Sequence, residues 1–449
     1  MIRRKQAASW SLVFLLVVSL ILSACTKKDA APGANEDGKP QQVTIKFHAQ
    51  EVTFTKEMMQ PVIEQFEKLN PGIKVDYVPM TEPTNDEIMK KIDLYSASGE
   101  TLDVFLIADE RSYAQRAANG MLEPLNTFIE QEGFNYEEEY KTNTGINGKY
   151  YGLPGTFSTW FVMLNEDHLK EANLAVPTID WTWDDFMDYA KQMTAGEGAD
   201  KRYGTYHHTW TDYYTLGLWH QPKNNDIILP DLTINLDDPG VRKSIEIRRQ
   251  TEMVDKSAVP LVDVISQKMS YRPLYFNGKA SMIVIGSWMI GEAGGTDQYE
   301  ANHKTIFAPI PKNNPEDEGG YAVSSSNYLV VSSTSKHKEE AYKFARYLST
   351  EGLSSMEKYL TSWKKEDTGK LLEAIINQTK KPEMVDKESL LYVLDHAKMT
   401  SLPPAHPFQA EVYKAYQDEV DLVLLGQQDI DQAIANAKDK IQKIINANK

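Results

Sequence analysis

Val43, Ile45 and Phe47 alternate with polar residues, the period of a strand with one buried face. Met58, Val62, Phe66 and Leu69 then recur at helical spacing, and Asn70-Pro71-Gly72 stops that helix. Ile73, Val75 and Tyr77 alternate again, so the first forty residues of this region predict a βαβ unit with parallel pairing and a right-handed crossover. Ile88, Met89, Ile92 and Tyr95 predict a second helix closed by Gly99, and residues 104–108 form an unbroken apolar run, as in a strand buried on both faces. Thr182 and Asp185 predict a helix start, with Thr182 as N-cap and the acidic partner at the third position. An apolar strand over 282–285 follows the turn Asn277-Gly278. A helix over 338–348 carries Ala341, Phe344, Ala345 and Leu348 on one face. From Leu371 onward helical periodicity dominates, ending in a charged helix over 430–445. Alternating β and α elements predict an α/β protein, and 449 residues suffice for two such domains.

The N-terminus breaks this pattern. Arg3, Arg4 and Lys5 precede an apolar stretch, residues 7–22, that is too short for a comfortable membrane span and ends in Leu22-Ser23-Ala24-Cys25. The tetrapeptide resembles the lipobox of bacterial lipoproteins, which implies cleavage before Cys25 and acylation of that cysteine. Residues 26–42 lack apolar periodicity and are rich in Ala, Gly, Pro, Asp and Lys, as in a flexible tether. Its root-mean-square reach is about 23 Å. The division expected is a signal peptide over 1–24, a lipidated cysteine and tether over 25–42, and a soluble body on the outer side of the membrane.

Charge and cysteine count narrow the chemistry. The net charge is −16, and removing residues 1–24 takes away three basic groups and no acidic one, leaving −19. That balance argues against a nucleic-acid partner, which needs a basic stripe. A single cysteine leaves no disulfide framework and no multi-thiolate metal site.

Several stretches together resemble the family 1 extracellular solute-binding proteins of ABC importers, of which maltose-binding protein is a member. They are FEKLNPGIKV (66–75), SGETLDV (98–104), NGMLEPL (119–125), GKYYGLP (148–154) with Leu164-Asn165 and Pro177, TWDDF (182–186), FNGKASM (276–282) with GSW (286–288), and KEEA (338–341) with Phe344. Their order and spacing carry the resemblance. It implies two α/β lobes joined by a hinge of several segments, with the ligand in the cleft between them. The expected assignment is 43–155 plus 305–330 in lobe 1 and 156–304 plus 331–449 in lobe 2. The chain would cross near 156–160, return near 304 and leave again near 327–332. The resemblance also implies a monomer that delivers its ligand to a membrane permease powered by a separate ATPase, with no cofactor.

Sugars present flat C–H faces and a rim of hydroxyls, so aromatic platforms and polar side chains are the groups to seek. Trp288 follows an apolar strand and two small residues and matches the family's stacking tryptophan; the alternative is core packing. Trp210 and Asp212 lie in a polar, aromatic run without helical period, residues 206–212. Trp160 falls at the first crossing, in the expected cleft floor. Gln50 and Glu51 follow the first strand, where the family's lobe 1 loop reaches ligand. Asp109 and Glu110 follow the buried strand, and either one offers acceptors or caps the next helix. His406 and Phe408, beside the break Pro403-Pro404-Ala405-His406-Pro407, are further cleft candidates. Trp183 reads as structural. Trp363 falls in a lobe 2 loop that lacks the proline of the family's motif. His207 and His208 are adjacent, so their side chains diverge on either a strand or a helix and do not make a metal pair.

Two function classes follow. The first is a binding protein without chemistry, taking an uncharged carbohydrate, because the candidates offer few Arg or Lys for an anion. The second is a lipid-anchored glycoside hydrolase using paired carboxylates. The sequence contains no phosphate loop, no H-E-x-x-H and no G-x-S-x-G elbow, and the resemblance favours the binding protein.

Overall fold

A computed structural model describes residues 42–448 apart from 83 and 402–405. The signal segment, Cys25 and nearly all of the tether lie outside the described residues. Strand β1 (Val43–Gln50), helix α1 (Lys56–Leu69) and strand β2 (Ile73–Met80) form the expected βαβ unit, with β1 and β2 parallel from Val43↔Ile73 to Gln50↔Met80. Thr55 caps α1 through its Oγ1, which accepts from the Met58 N–H. The buried stripe is Met59, Val62, Ile63 and Phe66, while Leu69 is exposed, so the helix is turned by about one residue from its sequence pattern. Helix α2 (Asn85–Ser98) ends at Gly99 in the left-handed region, which a residue with a Cβ adopts at a cost. Strand β3 (Val104–Ile107) is buried along its whole length and pairs parallel with β1. Helix α3 (Glu110–Ala118) follows, with Asp109 as its N-cap.

The fold then turns on two long strands. Strand β4 (Gly152–Asn165) is antiparallel to strand β8 (Tyr321–Val331), and β8 is also antiparallel to β3. The far half of β4 pairs instead with β6 (Ala280–Gly286) and β7 (Thr305–Ala308). Between them in sequence come helix α4 (Trp183–Gln192) and strand β5 (Tyr203–Tyr206), which pairs with β6. The sheet order is β2-β1-β3-β8-β4-β6-β5, with β7 on β4 and β9 (Lys398–Ser401) on β8. One sheet path therefore serves both lobes, and β4 and β8 pass from one to the other. The register of that pair slips between Ser326 and Tyr328, and Asn327 fills the slip, its Oδ1 accepting from the Thr156 N–H at 2.7 Å. Gly155 is required there, because a Cβ would lie 1.9 Å from Asn327 Oδ1.

Each lobe has its own core. Ile45, Phe47, Phe66, Val104, Leu153 and Leu329 pack together in lobe 1; Phe161, Met163, Tyr206, Ile283 and Phe307 pack in lobe 2. Packing corrects the expected boundaries. Residues 305–308 pair with the lobe 2 half of β4, so they belong to lobe 2. Helix α5 (Lys338–Tyr347) was expected in lobe 2, but its Ala341, Phe344 and Ala345 lie in the lobe 1 core. Lys304 lies at the start of β7, within lobe 2, and is no crossing. The third crossing instead follows the helical segment at 353–356, where the Phe157 N–H donates to the Leu360 carbonyl at 2.7 Å. Helices α6 (Gln409–Leu424) and α7 (Ile430–Ala447) pack on each other and on the 214–245 region of lobe 2. The charged terminal helix is held by Ala433, Ala437, Ile441 and Ile445.

Phe344 fixes α5 to lobe 1. It is fully buried, with edge-to-face contacts to Phe47 at 5.3 Å and Phe66 at 5.1 Å. Phe344→Ala is expected to cost about 3–5 kcal/mol in urea unfolding. A loss under about 1 kcal/mol would return α5 to another packing partner.

Candidate functional site

A cavity of about 180 Å³ lies where the two lobes meet at the β4–β8 crossing. Six of the ten candidates line it: Asp109, Glu110, Trp160, Trp210, Asp212 and Trp288. The strand ends explain why. Asp109 and Glu110 sit at the carboxyl end of β3, Trp160 where β4 leaves the hinge, and Trp288 just beyond β6. Ligands of α/β sheets gather at such ends.

Three indoles form the lobe 2 wall. Trp160 and Gly286 are register partners on β4 and β6, and the Trp288 ring folds back over Gly286. A Cβ at position 286 would lie 1.9 Å from Cζ3 of Trp288, so this glycine makes the ring position possible. Trp288 is half-buried and meets Trp160 edge-on at 5.2 Å and 88°. Trp160 itself is only 4% exposed and also packs on Trp219 and Tyr213; it floors the cavity rather than offering a free face. Trp210 lies 6.0 Å from Trp288 and stacks on His208 at 4.4 Å and 17°. Burial, then the charges of Arg248 and Arg272, lower the His208 pKa to about 4, so the imidazole under Trp210 is neutral at pH 7. His207 points elsewhere, its Nε2 sharing a hydrogen bond with Thr251 Oγ1 inside the lobe.

Polar groups close the other sides. Asp109 has both roles allowed by the sequence: Oδ1 accepts from the Ser112 N–H at 2.9 Å as an N-cap, while the residue lines the cavity. Its Oδ2 accepts from Asn85 Nδ2 at 2.5 Å. Asp212 lies in a short 3-10 turn at 211–214, and burial raises its carboxyl pKa, with Arg111 pulling the other way. Sequence reasoning missed Arg111, Thr142, Asn143, Ser324, Ser325, Ser326 and Tyr328. Ser324–Ser326 come from β8, opposite Thr159, Ser158 and Phe157 of β4. Ser325 is exposed, whereas Ser326 Oγ donates to the Thr156 carbonyl at 2.9 Å. Tyr328 is buried against Tyr113, ring to ring at 4.1 Å. The run of three serines beside a predicted crossing was a usable signal; nothing in the sequence marked Thr142 and Asn143.

Four candidates do not line the cavity. Gln50 stands one residue behind it: its Nε2 donates to Asn85, which in turn holds Asp109. Glu51 is exposed at the end of β1, its N–H bonded to the Met80 carbonyl. His406 stacks on Phe408, and its Nε2 lies 3.0 Å from the Leu229 carbonyl. Phe408 is drawn into the core beneath α6 and α7, where an apolar ring is worth more than at a polar cleft. Trp183 is fully buried, next to the Thr182–Asp185 capping box the sequence predicted. Trp363 donates its Nε1–H to Glu139 at 2.8 Å and ties down the third crossing.

The lining carries three carboxyl groups against one guanidinium. An anionic ligand is therefore opposed, and a neutral, hydroxyl-rich ligand finds both acceptors and apolar faces. Among the described residues no cluster of His, Cys, Asp and Glu has the arrangement of a metal site.

Comparison with known proteins agrees with this layout. The bacterial extracellular solute-binding protein family matches residues 50–353. The "Multiple sugar-binding protein" of Streptococcus mutans is 25% identical over 364 residues, 76% of this chain and 78% of that protein. A putative binding protein of Brucella abortus is 25% identical over 292 residues, 64% of this chain and 67% of that protein. An ABC substrate-binding protein from Listeria monocytogenes, solved in complex with cycloalternan, superposes with a TM-score of 0.75 at 22% identity, covering 90% of this chain and 100% of that one. Maltose-bound MalE3 of T. maritima gives 0.69 at 20% identity over the same shares. These likenesses establish a two-lobed periplasmic-binding-protein fold.

Gly286→Ala tests the geometry of the indole wall. It is expected to displace the Trp288 ring and weaken the near-ultraviolet circular dichroism that its packing on Trp160 produces, with the far-ultraviolet spectrum retained. An unchanged near-ultraviolet spectrum would mean the ring does not lie over position 286.

Proposed function

The chain belongs to the bacterial extracellular solute-binding proteins, and from that premise we propose that it captures an uncharged oligosaccharide in the interlobe cleft and hands it to the permease of an ABC importer. The observation that carries this reading is the lining itself: two half-buried indoles, Trp210 and Trp288, over a floor of Trp160, together with Asp109, Glu110, Asp212 and the Ser324–Ser326 segment. Indoles cover the C–H faces of pyranose rings, and carboxylates and serines bond the hydroxyl rim. The sugar-binding name of the Streptococcus mutans relative and the cycloalternan and maltose in the two solved structures point the same way. The protein performs no chemistry in this reading.

The sequence of the N-terminus completes the proposal. The lipobox-like tetrapeptide at 22–25 and the tether behind it support a body held at the outer face of the cell membrane through acyl chains on Cys25. A monomer on such a tether reaches the permease without leaving the membrane.

Thermal melting over a panel of neutral oligosaccharides tests the ligand class. A matching sugar raises the melting temperature by mass action, and calorimetric titration of that sugar gives its affinity. Trp288→Ala is expected to weaken the affinity by about 2 kcal/mol or more, roughly thirtyfold. Full affinity in the variant would remove Trp288 from the site. Preferential binding of phosphorylated or acidic sugars, or appearance of cleaved product, would contradict the reading.

Cys25→Ala tests the anchor. Metabolic labelling with a fatty-acid analogue is expected to mark the wild-type chain and not the variant, and the variant body leaves the membrane or accumulates uncleaved. Label on the variant would place the lipid elsewhere.

A further inference from the structure

Arg111 stands out among the residues around the cavity. It lies in the first turn of α3, on lobe 1, directly after the Asp109 cap and Glu110. Its own-lobe carboxylate is Asp109, with Nε 4.0 Å from Oδ1. Its remaining partners belong to lobe 2. The guanidinium lies over the ring of Tyr413 on α6, 4.9 Å from the centroid. Asp212 and Asp226, both of lobe 2, act on it electrostatically. The Tyr413 ring is held for this contact: its hydroxyl donates to Asp226 Oδ1 at 2.5 Å, and Gln409 Nε2 donates to Asp226 Oδ2 at 2.9 Å. Helices α3 and α6 touch across the cleft around this point.

We propose that Arg111 is the latch of the cleft: its guanidinium, carried by lobe 1 and seated on the Tyr413 ring of lobe 2, holds a fraction of the ligand-free molecules closed. The contact joins lobe 1 to lobe 2 without any bound solute, so its free energy enters the open–closed equilibrium of the empty protein. A cation on an aromatic face gains more as water is excluded, and the Arg111 side chain is 20% exposed. The carboxylates sharpen this. When the lobes part, Asp212 and Asp226 lose the one cation that lobe 1 brings them, whereas Asp109 keeps it. Arg111 thus sets both how often the cleft is open to ligand and how firmly it shuts afterwards. The inference rests on the cleft being the binding site but not on which solute fills it.

Pulsed dipolar spectroscopy on the full-length, detergent-solubilised chain reads the equilibrium. Nitroxides are carried on p-acetylphenylalanine at Leu94 of lobe 1 and Val262 of lobe 2, both exposed, which leaves Cys25 untouched. Without ligand, two distance populations are expected. Arg111→Met is expected to lower the short-distance, closed population relative to the open one by roughly 3- to 30-fold. Asp212→Asn is expected to lower it by less, and the melting temperature of both variants should stay near wild type. A single open population in the wild type, or unchanged distances in a folded Arg111→Met, overturns the latch. If Arg111→Met does not fold, unchanged distances in Asp212→Asn do so. Adding a saturating neutral oligosaccharide identified by melting is expected to restore the closed population in every variant. Failure of every sugar to bind would contradict the carbohydrate reading while leaving the ligand-free distances to decide the latch.

Discussion

The structure depends on the antiparallel pairing of β4 with β8. Each strand begins in one lobe and ends in the other, so the same hydrogen-bond ladder that connects the lobes also sets where the cleft lies. The ladder is irregular at one place. Asn327 occupies the slip in register and substitutes a side-chain carbonyl for the missing backbone acceptor of Thr156. A bulge bends a strand and re-aims the side chains beside it. Here it separates Ser324–Ser326, which face the cavity from β8, from Leu329–Val331, which are core. Gly155 faces Asn327 from β4 and leaves room for its side chain, whose Oδ1 a Cβ at 155 would meet at 1.9 Å.

The cavity lining follows from that crossing. Trp160 is on β4 just past the hinge, and its register with Gly286 leaves a strip of backbone without a Cβ, over which Trp288 lies. The indoles therefore support one another edge to face. Lobe 1 supplies Asp109, Glu110 and Arg111, and lobe 2 adds Asp212. Asp109 is locked by the helix it caps and by Asn85, which presents it rigidly, and Arg111 in the next turn reaches across. The indoles come from lobe 2 and most of the charged groups from lobe 1, and a ligand with flat faces and a hydroxyl rim is complementary to the pair.

Much of this was legible in sequence where the signal is local. The βαβ unit, the Gly99 stop and the Thr182–Asp185 box each depend on residues within a few positions of one another and formed as read, and of the two acidic residues offered as a cap after β3 it is Asp109 that caps. Asp109, Glu110 and Trp288 were found because they follow strands that periodicity locates; Trp210 and Asp212 stood out as a polar, aromatic run, and Trp160 came from the crossing that the family resemblance implied. The failures are non-local. The lobe boundaries went wrong at 305–308 and at α5, because which strand a segment pairs with depends on the whole sheet order. Arg111 was passed over although it follows two residues that were chosen; only α6, three hundred residues later, reveals its partner. The break at 403–407 looked like cleft, but Phe408 is apolar and α6 offered it a core. Glu51 was placed one strand too far from the crossing, while Gln50 acts through Asn85.

The central claim is that solute binds between the lobes on this set of indoles. A spectrum of the seven tryptophan side chains that remain once residues 1–24 are removed, labelled with ¹⁵N at the indole nitrogen, tests it residue by residue. Titration with a neutral oligosaccharide should move the Nε1–H signals of Trp210, Trp288 and Trp160. Trp183, buried beside its helix cap, and Trp363, bonded to Glu139, should stay in place. Bound sugar that leaves the first three signals unmoved, or moves Trp183 and Trp363 instead, would contradict the account.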